Sequence, residues 1–77
     1  MTLAELLKER RRLRFWTQKA LAEAVGVSLN TVQRWEMGIS VPFPSTQQKL
    51  VEVLGVEPSA LLAAVAETEA RQGKAAA

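Results

Sequence analysis

The chain has 77 residues and a net charge of +2, with no cysteine, histidine or aspartate. Such a length makes one small domain, whose limited core needs close packing or a partner copy to be stable. The composition excludes disulfides and thiolate metal sites and removes the commonest general base and metal ligand, so no enzyme activity, cofactor or metal is expected.

Thr2 opens a capping box with Glu5 three residues on, which predicts a first helix from Leu3 to about Arg14. Leu3, Leu6, Leu7 and Leu13 supply its buried stripe, while Lys8, Glu9, Arg10, Arg12 and Arg14 are mostly outward. The arginines at 10, 11, 12 and 14 spread around the helix and cannot all face one partner. One or two are expected to reach phosphate. Residues 1–34 carry seven cations and three glutamates, and residues 35–77 carry three cations and five glutamates. A basic half and an acidic half suit a protein that turns one face to a polyanion. Solvated helix faces would give the same division equally often.

The stretch Thr17–Gly38, TQKALAEAVGVSLNTVQRWEMG, reads as two short helices joined by a tight turn. Thr17 is an N-cap, and Ala20, Leu21, Ala24 and Val25 recur at helical spacing. Gly26 ends the helix, since glycine adopts the left-handed conformation at no steric cost, and Val27 plugs the turn. Ser28 caps the next helix, Val32 and Trp35 form its apolar face, and Gly38 ends it. Two helices of about two turns each do not persist alone in water. The rest of the chain must supply their packing surface.

Pro42 and Pro44 stiffen the loop that follows and keep it out of a regular helix. Ser45 and Gln48 predict another capping box, opening a helix to about Leu54 that buries Leu50, Val51, Val53 and Leu54. Gly55 ends it. Pro58, at the favoured first position, opens a fifth helix with Leu61, Leu62 and Val65 on its inner face and a Glu67–Arg71 pair at i,i+4. Gly73 is its expected end, and residues 74–77 are read as a disordered tail, a cloning remnant.

Thr17-Gln18, Leu21-Ala22, Gly26-Val27-Ser28, Val32, Trp35-Glu36 and Gly38 together resemble the helix-turn-helix of the phage Cro and cI repressors, the Xre-like group. The resemblance extends more loosely from about Leu7 to Leu62. It implies an all-α fold: a small five-helix lambda-repressor-like DNA-binding domain over residues 1–73, with helices 2 and 3 as the helix-turn-helix. It also implies that Arg11 pairs with Glu36 and staples helix 1 to helix 3, Arg10 being the near alternative. The chain departs from the family at Phe15, where a glycine usually closes helix 1; either the helix ends differently or packing holds Phe15, and core packing is the expectation. Trp16 matches an apolar family position. Gln47 stands where relatives often carry leucine.

In such a motif the second helix lies in the major groove. Leu29, Asn30, Thr31, Gln33 and Arg34 face away from Val32 and Trp35 and form the expected base-reading set. Asn30 can pair bidentately with adenine and Arg34 with guanine. Leu29 offers only apolar contact, for instance to a thymine methyl, where relatives often carry a hydrogen-bonding residue. Gln18 starts a helix whose N–H groups attract phosphate, and in the family this glutamine also braces the recognition helix. Thr17, Lys19, Ser28 and Ser40 are further phosphate candidates. Trp35 is read as core rather than as a stacking platform.

The resemblance implies sequence-specific binding of double-stranded DNA in bacterial or phage transcription regulation, as a repressor. An inverted repeat held by a homodimer is the expected target, because one recognition helix reads too few base pairs to select a genomic site. The expected dimer surface is the Ile39–Phe43 loop with the end of helix 4 or helix 5. Alternatives are an antitoxin, a DNA-binding domain of a longer regulator, or a protein-interaction module using the acidic fifth helix and Phe15. No apolar run approaches the ~20 residues of a membrane span, and no secretory signal is evident. A cytoplasmic protein without a small-molecule ligand is the default.

Overall fold

A capping box starts the chain's first helix: Thr2 Oγ1 accepts the Glu5 N–H and Glu5 Oε1 accepts the Thr2 N–H at 2.8 Å. The computed structural model describes residues 1–72. Among them are five helices: α1 (Leu3–Leu13), α2 (Gln18–Val25), α3 (Leu29–Glu36), α4 (Pro44–Leu54) and α5 (Pro58–Arg71). The described residues contain no strand. Gly73 and the tail at 74–77 lie outside the described residues.

α1 packs on α3 and α5, α2 on α3 and α4, and α4 on α5. Leu3, Leu7, Leu21, Val32, Leu50, Leu54 and Leu61 are the largest fully buried side chains, and Trp35 joins them. Every helix therefore contributes to one core. This is how the two-turn helices α2 and α3 persist: burial of their apolar faces offsets a nucleation cost they cannot meet alone.

Several side chains depart from the expected stripes. Burial fades toward the end of α1, so Leu13, in its last turn, is 64 % exposed. On α2 the buried residues are Leu21, Ala22 and Val25, and Ala24 is exposed. The helix is held between α3 and α4, which turns the Ala22 side inward. On α5 the inward positions are Leu61, Ala64, Val65 and Thr68. Leu62 stands about 100° round the helix from Leu61 and is 59 % exposed. Ser45 is not the cap of α4. The helix begins at Pro44, two residues before the start that a Ser45 cap implies, after an extended Phe43 and with no side-chain cap; the fixed φ of proline suits this first helical position, where an N–H would have no intrahelical acceptor. Gln47 uses its polar end locally, donating from Nε2 to the Pro42 carbonyl at 3.0 Å.

The end of α1 settles the place of Phe15. The Phe15 N–H donates to the Arg12 carbonyl at 3.0 Å and the Trp16 N–H to the Arg11 carbonyl at 3.1 Å, the paired bonds of a Schellman turn. That turn requires a left-handed residue at position 15, and Phe15 has φ 58°. Phe15 is not in the core: it is 96 % exposed. Glycine fills the matching place after α3, where Gly38 has φ 76°. A left-handed phenylalanine costs about 1–2 kcal/mol. Trp16 is half-buried against the core, with the Arg14 guanidinium 5.9 Å from its ring centroid.

The C-terminal part of α5 is tied to the rest. Buried Thr68 accepts the Leu3 N–H at 2.8 Å and donates to the Ala64 carbonyl at 2.8 Å. The terminal amine of Met1 meets Glu67 at 2.9 Å, and Glu67 also pairs with Arg71 at 3.0 Å. Gln72 Nε2 donates to the Gly38 carbonyl at 2.8 Å, joining the end of α5 to the turn that closes α3. Thr68→Val keeps the shape of the side chain but leaves the Leu3 N–H buried without a partner, at a cost of about 1–3 kcal/mol. Thermal melts should show a drop of several degrees for Thr68→Val and a much smaller one for Thr68→Ser.

Candidate nucleic-acid interface

The turn between α2 and α3 is built from local rules. Thr17 caps α2 by accepting the Ala20 N–H at 3.0 Å. Gly26 adopts φ 87°, and both its N–H and that of Val27 reach the Ala22 carbonyl. Val27 then packs against the core. Ser28 Oγ accepts the Thr31 N–H at 3.1 Å and lies 2.9 Å from Thr31 Oγ1.

Burial of Val32, Trp35 and Glu36 sets the rotation of α3 about its axis. The opposite face carries Asn30 and Arg34, both exposed. Gln33 and Thr31 flank that face and are half-buried, and Leu29 is 40 % exposed in the first turn. Met37, 69 % exposed at the end of the helix, extends the Asn30–Arg34 face by one turn. The sequence reading missed it, although its spacing from Asn30 and Arg34 carries the signal.

Glu36 is the best-connected polar residue of this region. It is 3 % exposed, and its carboxylate accepts from Arg11 Nε at 2.8 Å, Arg11 Nη2 at 3.0 Å and Gln18 Nε2 at 3.0 Å. Arg11 Nη1 also donates to the Trp16 carbonyl at 2.9 Å. One fork of hydrogen bonds thus joins α1, the α1–α2 turn, the start of α2 and the end of α3. Arg10 takes no part in this pairing; its Nε is buried without a hydrogen-bond partner. Burial pushes the Glu36 carboxyl up, but the Arg11 and Gln18 hydrogen bonds and the Arg11 charge outweigh it and hold it below its ordinary value of 4.5. The hydrogen bond to Glu36 raises the Arg11 guanidinium in turn.

The expected phosphate set is spread over three places. Thr17, Gln18 and Lys19 stand at the start of α2, Ser28 caps α3, and Ser40 lies half-buried in the loop after α3. Gln18 is half-buried and its amide nitrogen is committed to Glu36, whereas Lys19 is exposed. The N–H groups of Gln18 and Lys19, first in their helix, have no intrahelical acceptor. Among the described residues no group of acidic side chains is arranged to hold a metal, and no helix is long and apolar enough to cross a membrane.

A model of the helix-turn-helix family matches residues 7–61. The chain belongs to the Cro/cI-type helix-turn-helix family. The match spans well over half of the chain and takes in all of α2, α3 and α4. No significant match was found among the curated proteins or the solved structures. Membership makes the chain a helix-turn-helix DNA-binding protein of the transcription-regulator kind.

The Glu36 fork has a pH signature. A carboxyl whose folded pKa lies below its unfolded value contributes stability above that value, and the contribution is lost as pH falls through the folded pKa. Urea unfolding should therefore show stability falling below about pH 4.5. Glu36→Gln should cost about 1–3 kcal/mol at pH 7, since it removes the charge that Arg11 was desolvated to meet. It should also reduce the acid slope, leaving the part that comes from Glu5, whose capping-box bonds lower its carboxyl as well. An unchanged slope in the variant would place the acid sensitivity elsewhere.

Proposed function

We propose that this chain is a sequence-specific regulator of transcription, a repressor of bacterial or phage origin that acts in the cytoplasm as a homodimer on an inverted repeat. The observation that carries the reading is the α3 face bearing exposed Asn30 and Arg34, opposite the buried Val32 and Trp35. Laid in the major groove, that face offers one bidentate partner for adenine and one for guanine. Gln33, Thr31 and Leu29 border it, Leu29 as an apolar contact for a thymine methyl. Thr17, Lys19, Ser28 and Ser40, with the open N–H groups at the start of α2, hold the phosphates on either side. Gln18 adds its backbone N–H there while its side chain braces Glu36. Repression is the simpler mode for such a domain, because occupancy alone blocks access to the duplex.

Base contacts and phosphate contacts separate experimentally. Arg34→Ala should relax preference at one position of a selected duplex, by about 1–3 kcal/mol against the parent's preferred base. Lys19→Ala should weaken specific and random duplexes alike and reduce the salt slope by about 1. Binding titrations at several salt concentrations read both. Equal losses on all sequences for Arg34→Ala would mean that this arginine touches phosphate only.

The homodimer rests on the apolar surface beside Arg34. Ile39, Phe43 and Leu62 are exposed around a cleft of about 610 Å³ that Arg34, Val65 and Glu69 also line. A second copy seated there by two-fold symmetry would set two α3 helices about 34 Å apart, one turn of the duplex. A small apolar patch of this kind associates weakly in the absence of DNA. Gel shifts should therefore show two chains bound cooperatively on a full inverted repeat and much weaker binding to a half-site. Equal affinity with one-to-one stoichiometry on both would refute the dimer.

A further inference from the structure

Phe15 combines two features that folding alone disfavours. It holds a left-handed backbone, φ 58°, and its ring is 96 % exposed. Glycine would remove the strain and the exposed apolar surface together, as Gly38 does at the end of α3. The ring is also presented from a fixed turn: the N–H groups of Phe15 and Trp16 are bonded to α1 carbonyls, and the Trp16 carbonyl accepts from Arg11 Nη1 at 2.9 Å. A ring held in this way loses little conformational freedom when a partner covers it.

The surroundings give the chemistry of that partner. Between Glu9 and Glu23 the chain carries five cations and no acid, and only Arg11 is neutralised, by Glu36. Arg12, Arg14 and Lys19 are exposed and form no ion pair among the described residues, so the segment that carries the ring has uncompensated positive charge. Thr17, the cap of α2, is two residues further on, within about 7 Å of Phe15 along the backbone. Phe15 is thus two residues before the helix N-terminus that takes a phosphate in the DNA-bound reading.

We propose that Phe15 is a sequence-independent contact to duplex DNA, packing its ring on the deoxyribose edges next to the phosphate held at the start of α2. The contact rests on the DNA-binding reading and extends it beyond the base-reading face of α3. It spreads the footprint past the major groove and adds apolar area to an interface otherwise made of ions and hydrogen bonds. Because the ring displaces no counterion, its contribution does not change with salt.

The test compares the parent chain with Phe15→Gly and Phe15→Ala. The probes are a duplex enriched from a randomised pool by the parent and a scrambled duplex of equal length. Phe15→Gly should melt about 5 °C higher, because the left-handed strain is gone. It should also bind both duplexes about five- to tenfold more weakly, with the parent's salt slope. Phe15→Ala should show the same loss of affinity without the gain in melting temperature, which separates the ring from the backbone. Unchanged affinity of both variants for duplexes that the parent binds would overturn the contact and leave the DNA-binding reading intact. So would a loss confined to the selected duplex, or a change in the oligomeric state of the free chain, which would assign the ring to a protein surface. A parent that binds no duplex would overturn both readings together.

Discussion

A buried carboxylate at the end of α3 is the constraint around which the helices are arranged. Glu36 is charged and almost fully covered, a costly placement unless its oxygens are met by donors of good geometry. Arg11 supplies two and Gln18 a third. The net stabilisation from such a group is small, since desolvation cancels most of the Coulomb attraction, but breaking it costs several times more. That asymmetry gives it its use. A rotation of α3 that moved Glu36 away from Arg11 would strand a charge on each side, so the helix is held in one orientation. Apolar packing through Val32 and Trp35 alone tolerates small rolls far better.

The consequence for function follows from α3 having eight residues. In a helix this short, a roll that moves one end moves the whole exposed face. Pinning Glu36 at the last position therefore aims Asn30 and Arg34 as well. Gln72 adds a second restraint at the same end by donating to the Gly38 carbonyl. Thr68 and Glu67 hold the start of the chain against α5. The exposed face of α3 is thus mounted on a frame that α1 and α5 close from behind, although α3 itself has almost no intrinsic helical stability.

How much of this was legible in the sequence depends on the range of the rule involved. Thr2, Thr17, Ser28, Gly26, Gly55 and Pro58 were readable because capping and termination act within four residues, and all of them sit where those local rules put them. Leu13, Ala24 and Leu62 were misplaced because periodicity names a face without saying how much of it a neighbouring helix covers. Each lies at the edge of a stripe whose centre was correctly seen. Ser45 lost to Pro44, two local signals one residue apart. The Arg11–Glu36 partnership came from family likeness and not from spacing; the structure adds the Trp16 carbonyl as a second partner of that arginine. Gln72 carries no sequence signal of its bond to Gly38, since the two are 34 residues apart and meet only when α5 returns past α3. The face of α3 was legible, but which of its residues touch bases is a property of the complex.

Phe15 shows the same division inside one residue. Its backbone was left open between a different helix end and a left-handed residue, and the structure shows the left-handed one, closing a Schellman turn before Thr17. Its side chain was misplaced, because core packing was the natural place for an aromatic between Arg14 and Trp16. Only one of the two rings is packed inward. Trp16, in the position after the left-handed residue, lies against the core under the Arg14 guanidinium. The turn that brings Trp16 in throws Phe15 out, so exposure of one ring is the geometric counterpart of burial of the other. Substituting glycine at position 15 leaves that turn intact. The fold does not depend on the ring, which is exposed and outside the core, and the proposed DNA contact gives it a use.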